Sequence, residues 1–222
     1  MKKNLLVIVA GLFLVSCGGS IQKSESIEQT ISTQETSVSN KDVTGMGFDE
    51  LFKQISAEDL TDNVFKLVGK DYTVITAGNA ERYNSMTASF GGWGQLFSKP
   101  TTWCFLRANR YTLEVIREEN SYTMSYFADE YKDQVLFFGS KTGKDTDKMK
   151  ETTLTMVQTP SGNISYKQAR LIIECKLTEL TTVKPDDFYT QEGKDFVTEA
   201  YEEVKDYHKL VFGEITNVWV KR

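Results

Sequence analysis

The 222-residue chain contains a single histidine, His208, three cysteines and three prolines. These scarcities remove several chemistries at once. A Ser/His/Asp hydrolase would have to use His208, and no G-x-S-x-G elbow accompanies it. Zinc is disfavoured because no C-x-x-C or H-x-x-x-H pair is present, so no metal ligand is assigned. The phosphate loop of the P-loop type and the G-x-G-x-x-G dinucleotide turn are both missing; the glycines of "FGGWG" (Gly91, Gly92, Gly94) have the wrong spacing. There is no excess of positive charge: the formal net charge is −5 and the pI about 5.1. Nucleic acid is therefore excluded as a partner, since neutralising its phosphates takes clustered Lys and Arg over a whole face.

What is present begins with an export signal. "MKKNLLVIVAGLFLVSC" combines Lys2 and Lys3 with an apolar stretch from Leu5 to Val15 and a small residue before Cys17; it is too short to span a bilayer stably. Its last four residues, "LVSC", resemble the lipobox of bacterial lipoproteins. That likeness implies cleavage before Cys17, lipidation of its thiol, and a domain anchored in the cell envelope facing the periplasm or exterior. Residues 18–44 are rich in Ser, Thr, Gln and Glu without an aromatic or a proline. Such composition cannot offset the entropy of ordering, and it predicts a flexible linker. A single folded domain is expected over residues 45–222.

Within that domain, "GFDELFKQIS" places Phe48, Leu51, Phe52 and Ile55 at helical spacing. "DYTVITAG", "TTWCFLRA" and "SYTMSYF" read as strands. Thr112 is the expected N-cap of a helix carrying Leu113, Val115 and Ile116. A second helix over "ADEYKDQVLFF" is expected to stop at Gly139, and a third to fall in "DTDKMKETTL". A long strand from Ala169 to Leu180 and a closing strand in "YHKLVFGEITNVWVKR" complete the pattern. Strands outnumber short helices and no βαβ unit repeats, so the expected class is mainly β, an antiparallel barrel with helices on its outside. Cys104 and Cys175 lie in apolar strands, where a free thiol acts as a small hydrophobe; after export a disulfide between them is open, and spacing does not decide it.

Three polar segments interrupt the apolar ones. "NSMTASFGGWG" (residues 84–94) should present Thr87 and Ser89 on one face, with Met86, Ala88 and Phe90 on the other. "RANRYT" brings Arg107 and Arg110 to a helix start, where free N–H groups favour an anion. "GSKTGKD" offers Ser140, Thr142, Lys141 and Lys144 on a backbone relieved by glycine. Three such places on an acidic domain suit one ligand carrying a flat ring and a phosphate.

Taken in order, "NSMTASFGGWG", "RYT", "GSKTGKDTDK" and "YHKLVFGEI" resemble the flavin reductase family, the split-barrel proteins that include flavoredoxin. The likeness runs from about Asn63 to Lys221. It implies a Greek-key split β-barrel, a homodimer, and FMN in a groove near the subunit interface. Carried over by position, Thr87 and Ser89 would meet the flavin or its phosphate, Asn84 would shape the same strand, and Arg110, Tyr111 and Thr112 would border the phosphate or ribityl chain. Ser140, Thr142, Gly143, Lys144 and Asp145 would form the phosphate loop, and His208 would be the catalytic residue near the ring, where NAD(P)H or another donor enters. Phe90 and Trp93 would cover the isoalloxazine. Lys144 stands where the family commonly has Arg, exchanging a bidentate fork for a point charge. Because an exported domain meets no maintained NAD(P)H pool, the expected function is an FMN-dependent oxidoreductase acting as a membrane-tethered electron carrier. The alternative is a non-enzymatic binding lipoprotein on the same barrel.

Overall fold

The computed structural model describes residues 47–222, so the signal segment, Cys17 and the linker lie outside the described residues. In chain order the elements are α1 (Phe48–Leu51), β1 (Phe52–Ile55), α2 (Val64–Lys66), β2 (Thr73–Gly78), β3 (Tyr83–Ala88), β4 (Gly91–Leu96), β5 (Lys99–Arg107), α3 (Tyr111–Glu119) and β6 (Ser121–Tyr126). They continue with α4 (Lys132–Ser140), α5 (Lys148–Glu151), β7 (Met156–Gln158), β8 (Ile164–Tyr166), β9 (Leu171–Thr182), α6 (Gln191–Ala200) and β10 (His208–Lys221). A wide helical turn, Leu67–Asp71, extends α2.

The main sheet is antiparallel and runs β3-β2-β6-β9-β10-β5-β4. Its two end strands, β3 and β4, follow one another in the chain, and they mark the split in the barrel. Strand β10 carries two partners on one side: residues His208–Glu214 pair with β5, and Val218–Lys221 pair with β1. Register shifts at Phe212/Gly213 and Ile215/Asn217 bend it between them.

Neighbouring residues of one strand feed different cores, as a pleat with period two requires. Ile75 and Ile173 enter the barrel with Leu106, Tyr122 and Met124, while Val74 and Ile172 join a second core with Phe48, Phe52, Phe138 and Trp219. All six residues of β2 are buried, because both faces of this strand are covered. Helix α3 inserts Leu113, Val115 and Ile116 into the barrel core. Cys104 and Cys175 are both buried free thiols.

Three local expectations are corrected. The helix foreseen over "GFDELFKQIS" is one turn long, and Phe52–Ile55 is a strand, since pairing with β10 satisfies its backbone and both Phe48 and Phe52 still reach the second core. Thr112 is not the N-cap of α3; Arg110 is, and the Thr112 hydroxyl instead accepts from Asn84 Nδ2 at 2.7 Å. Helix α4 continues through Gly139 to Ser140. That glycine's backbone passes close to the Thr87 side chain.

One buried carboxylate ties β9 to the β7–β8 turn. Glu174 is fully buried and accepts from Asn163 Nδ2 at 2.9 Å, from Trp219 Nε1 at 2.9 Å and from the Thr159 hydroxyl. Glu174→Gln is expected to cost about 2 kcal/mol, because the amide leaves at least one of these donors without an acceptor. A urea unfolding midpoint measures it, and an unchanged midpoint contradicts it.

Candidate functional site

The N-terminus of α3, the end of α4 and the following loop meet β3 around a cavity of about 30 Å³. One water needs roughly 10–15 Å³, so the space admits a small anionic group and little more. Asn84, Thr87, Arg110, Tyr111, Thr112, Thr142 and Gly143 line it, so seven of the residues expected to bind the cofactor share one cavity. Three cations border it, Arg110, Lys141 and Lys148, the second of them paired with Glu151, and among the described residues no carboxylate lines it.

Each wall has a local cause. On β3, Asn84 is buried, and the Thr87 hydroxyl donates to the Val135 carbonyl of α4. No side chain caps the start of α3, so its first free N–H groups face the same region as Thr112. The loop after α4 closes on β3: a Cβ on Gly143 would sit 2.0 Å from Asn84 Oδ1, so only glycine allows this approach.

Lys148 escaped the sequence reading as a site residue. It is only 3% exposed, and its ammonium donates to the Ser85 carbonyl at 2.7 Å and the Phe138 carbonyl at 2.9 Å. An ammonium has three donors, which leaves one for a ligand. Burial first, and the Arg110 charge second, lower its pKa to about 8. The signal that could have found it was the final Lys of "GSKTGKDTDK", the first residue of α5. Arg110 has no acidic partner among the described residues, whereas Arg107 pairs with Asp206 at 2.9 Å.

Other expected residues lie elsewhere. Lys144 and Asp145 line a polar cleft of about 600 Å³ on the outer side of the loop, together with Asn84, Tyr111, Gly143 and Lys148 from the cavity wall. The Lys144 ammonium pairs with Glu114, both half exposed. Ser140 turns its hydroxyl back to the Phe137 carbonyl at 2.8 Å and lines none of these spaces. Thr87 and Ser89 do not share a lining: Ser89 follows the end of β3 and, with Phe90, opens onto an aromatic cleft.

His208 begins β10, opposite Arg107, with the Phe90 ring 6.1 Å from its own and the Tyr201 hydroxyl hydrogen-bonded to Nδ1. Burial and then the Arg107 charge hold its pKa below the ordinary value, Asp206 opposing and Arg110 adding to the depression. Both leading effects favour the neutral imidazole. Arg110 acts on both Lys148 and His208, so one guanidinium links the cation-lined cavity to the histidine.

A model of the flavin reductase-like domain matches residues 65–222. The chain belongs to this family. Among solved structures of the same split-barrel fold, an FMN-binding protein from Thermus thermophilus with bound p-hydroxybenzaldehyde is 18% identical, with a TM-score of 0.53 over 76% of this chain and 81% of that one. An FMN-binding domain of a flavin reductase-like enzyme from Shewanella baltica OS155 is 14% identical, TM-score 0.54, covering 76% of each chain. Flavoredoxin of Desulfovibrio vulgaris (Miyazaki F) is 20% identical, TM-score 0.52, covering 76% of this chain and 75% of that one. No curated protein matches the sequence. As a flavin reductase-like domain, the chain carries its four resembling segments on the edge strand β3, the start of α3, the loop after α4, and the start of the interior strand β10, whose His208 meets Phe90 just after β3.

Proposed function

We propose that this flavin reductase-like domain is an oxidoreductase that holds FMN and passes electrons through it while tethered to a membrane by a lipid on Cys17. The observation that carries the reading is the cavity bordered by Arg110, Lys141 and Lys148 without any carboxylate, set beside an uncapped helix start. A cation-lined seat with buried hydroxyl and amide groups is what a phosphate monoester needs; Lys141 is paired with Glu151, whereas Arg110 and Lys148 have no acidic partner among the described residues. The fit is good for the phosphate: Lys148 keeps a donor unused and Arg110 is unpaired.

Held there, FMN would supply reversible two-electron chemistry at its ring. The protein's own contribution is position. Arg110 lines the phosphate seat, and its charge also reaches His208. From Thr87 to Ser89 the strand advances about 6–7 Å, which takes the path toward Phe90 and His208. A neutral His208, oriented by Tyr201, can donate a hydrogen bond to the ring edge or accept one without placing a second cation there. Two copies of the chain are expected to pair.

Absorbance tests the reading. The purified domain is expected to be yellow, or to become so with FMN, and Asn84→Ala together with Thr142→Ala is expected to weaken FMN binding about tenfold. A colourless protein that cannot be reconstituted overturns the proposal. Under anaerobic conditions, bleaching by NADH or NADPH would mark a reductase. Bleaching by dithionite alone marks a carrier served by another donor, which is the expected result.

A further inference from the structure

Strands β9 and β10 are antiparallel neighbours, with Thr182 opposite Lys209, and a tight turn would be enough to join them. The chain instead runs 25 residues between them, 183–207, carrying α6 and a short turn of helix at Pro185–Asp187. Connections of that length inside a compact domain usually serve a function. The charge of this one sets it apart again. Between Pro185 and Glu203 stand seven acidic side chains and one lysine, a net −6, while the whole chain carries −5, so the other 203 residues together carry +1. We propose that the outer face of α6 is a docking surface for a small basic partner protein.

The helix has two stripes. Val197 and Tyr201, four residues apart, are buried against the domain. Phe196 is turned away from it and is 69% exposed. Glu192 and Glu199, four residues before it and three after, are its neighbours on the helix surface and are exposed as well. Tyr189 and Val204, on either side of α6, add exposed apolar surface. Apolar side chains inside a charged frame have the make-up of a protein contact, with an apolar centre and a polar rim. All seven carboxylates of the 185–203 stretch are exposed, and none forms an ion pair among the described residues. They stand open to the ammonium and guanidinium groups of a partner.

Charge also decides between occupants. A second copy meeting this face through its own would set two strongly negative surfaces against each other, and an anionic lipid surface is repelled in the same way. A basic protein is attracted. The place matters too. The Tyr201 hydroxyl, on the inner stripe, is hydrogen-bonded to His208 Nδ1, and the Arg107 guanidinium lies 5.2 Å from the centre of the Tyr201 ring while pairing with Asp206 at 2.9 Å. These contacts fasten the segment to His208. Encounters between redox proteins bury less than ~1,200 Å², an area within reach of one helix and its flanks. That the partner is the electron donor or acceptor of this domain rests on the function proposed above. Its docking does not.

The test titrates the full-length protein with cytochrome c, a small basic protein, and follows binding by calorimetry. Saturable binding is expected at about 0.01 M ionic strength, weakening at least about tenfold at about 0.15 M, as the screening length falls from ~30 Å to ~8 Å. Succinylated cytochrome c, whose lysines carry carboxylates, should not bind. Glu192→Gln, Glu199→Gln and Glu203→Gln together should weaken cytochrome c at least about tenfold, and Phe196→Ser about threefold, with melting temperature and FMN affinity unchanged. A matched triple on other elements, Glu58→Gln, Asp59→Asn and Glu130→Gln, removes the same charge and should change the affinity less than about twofold. Absence of saturable binding, binding of the succinylated form, or equal weakening by the two triples overturns the proposal. So does Phe196→Ser if it splits a dimer and leaves cytochrome c affinity intact, since α6 would then be a contact between copies. FMN uptake without cytochrome c binding removes this surface and leaves the function proposed above. Localised cytochrome c binding by a chain that never takes FMN does the reverse.

Discussion

Lys148→Met is expected to lower FMN affinity about a hundredfold, because it removes the buried cation of the phosphate seat. A charge-assisted hydrogen bond contributes roughly 1.5–3 kcal/mol, and a hundredfold change is about 2.8 kcal/mol. The fold should survive. Burying an ammonium is costly, and that cost disappears with the charge, while the Ser85 and Phe138 carbonyls lose their donor; the two effects offset in part. Fluorescence titration of FMN gives the affinity and a melting curve gives the stability. Unchanged affinity in a folded variant would place the phosphate elsewhere.

The same lysine gives a pH signature with opposite signs for folding and binding. Its folded value of about 8 lies below the ordinary 10.5. Between these two values the unfolded chain holds more protons than the native one, so stability rises with pH across that window; the penalty for burying the charge is fully present below about 8. FMN affinity runs the other way, falling as pH climbs above about 8, since the neutral amine no longer attracts the phosphate. Lys148→Met should abolish the break in both profiles. A break that persists in the variant assigns it to another group.

Phe138→Ala is expected to destabilise the domain by about 4 kcal/mol, in the range for deleting a fully buried aromatic ring. Its ring is completely buried against Tyr166, centroids 5.4 Å apart, in the second core. The backbone of the same residue accepts from Lys148. Loss of the ring therefore loosens the end of α4 from which the 140–147 loop departs, and FMN affinity should fall even where the protein remains folded. Denaturant unfolding reads the first effect and titration at low temperature the second. A stability loss with full FMN affinity would show that α4 does not position the seat.

Much of this was written in local sequence. The β-branched and aromatic residues of "DYTVITAG" and "SYTMSYF" gave strands, and the spacing of Leu113, Val115 and Ile116 gave α3, because both signals depend only on neighbours a few residues away. Phe52–Ile55 was misread as helix for the complementary reason: its apolar spacing fits the helical period, and only pairing with β10, far along the chain, chooses the strand, with Phe52 and Ile55 facing different cores. Gly139 carries the usual sign of a helix end, yet it serves the approach of α4 to Thr87. The polar segments were visible as groups of donors, but their division was not. Thr142 and Gly143 turn inward, whereas Ser140 and Lys144 bond within the chain and face outward.

By itself, then, the sequence determined a mainly antiparallel domain, four segments in the order of the flavin reductase-like family, and the absence of hydrolytic and zinc motifs. Tertiary structure alone decided which donors share a cavity, that Lys148 is buried among them, and that Arg107 is neutralised by Asp206 while Arg110 has no acidic partner among the described residues. The reason is separation: Asn84 meets Thr112 and Lys148 meets Ser85 across spans that no local periodicity encodes, and only the closing of the sheet brings them within hydrogen-bonding distance.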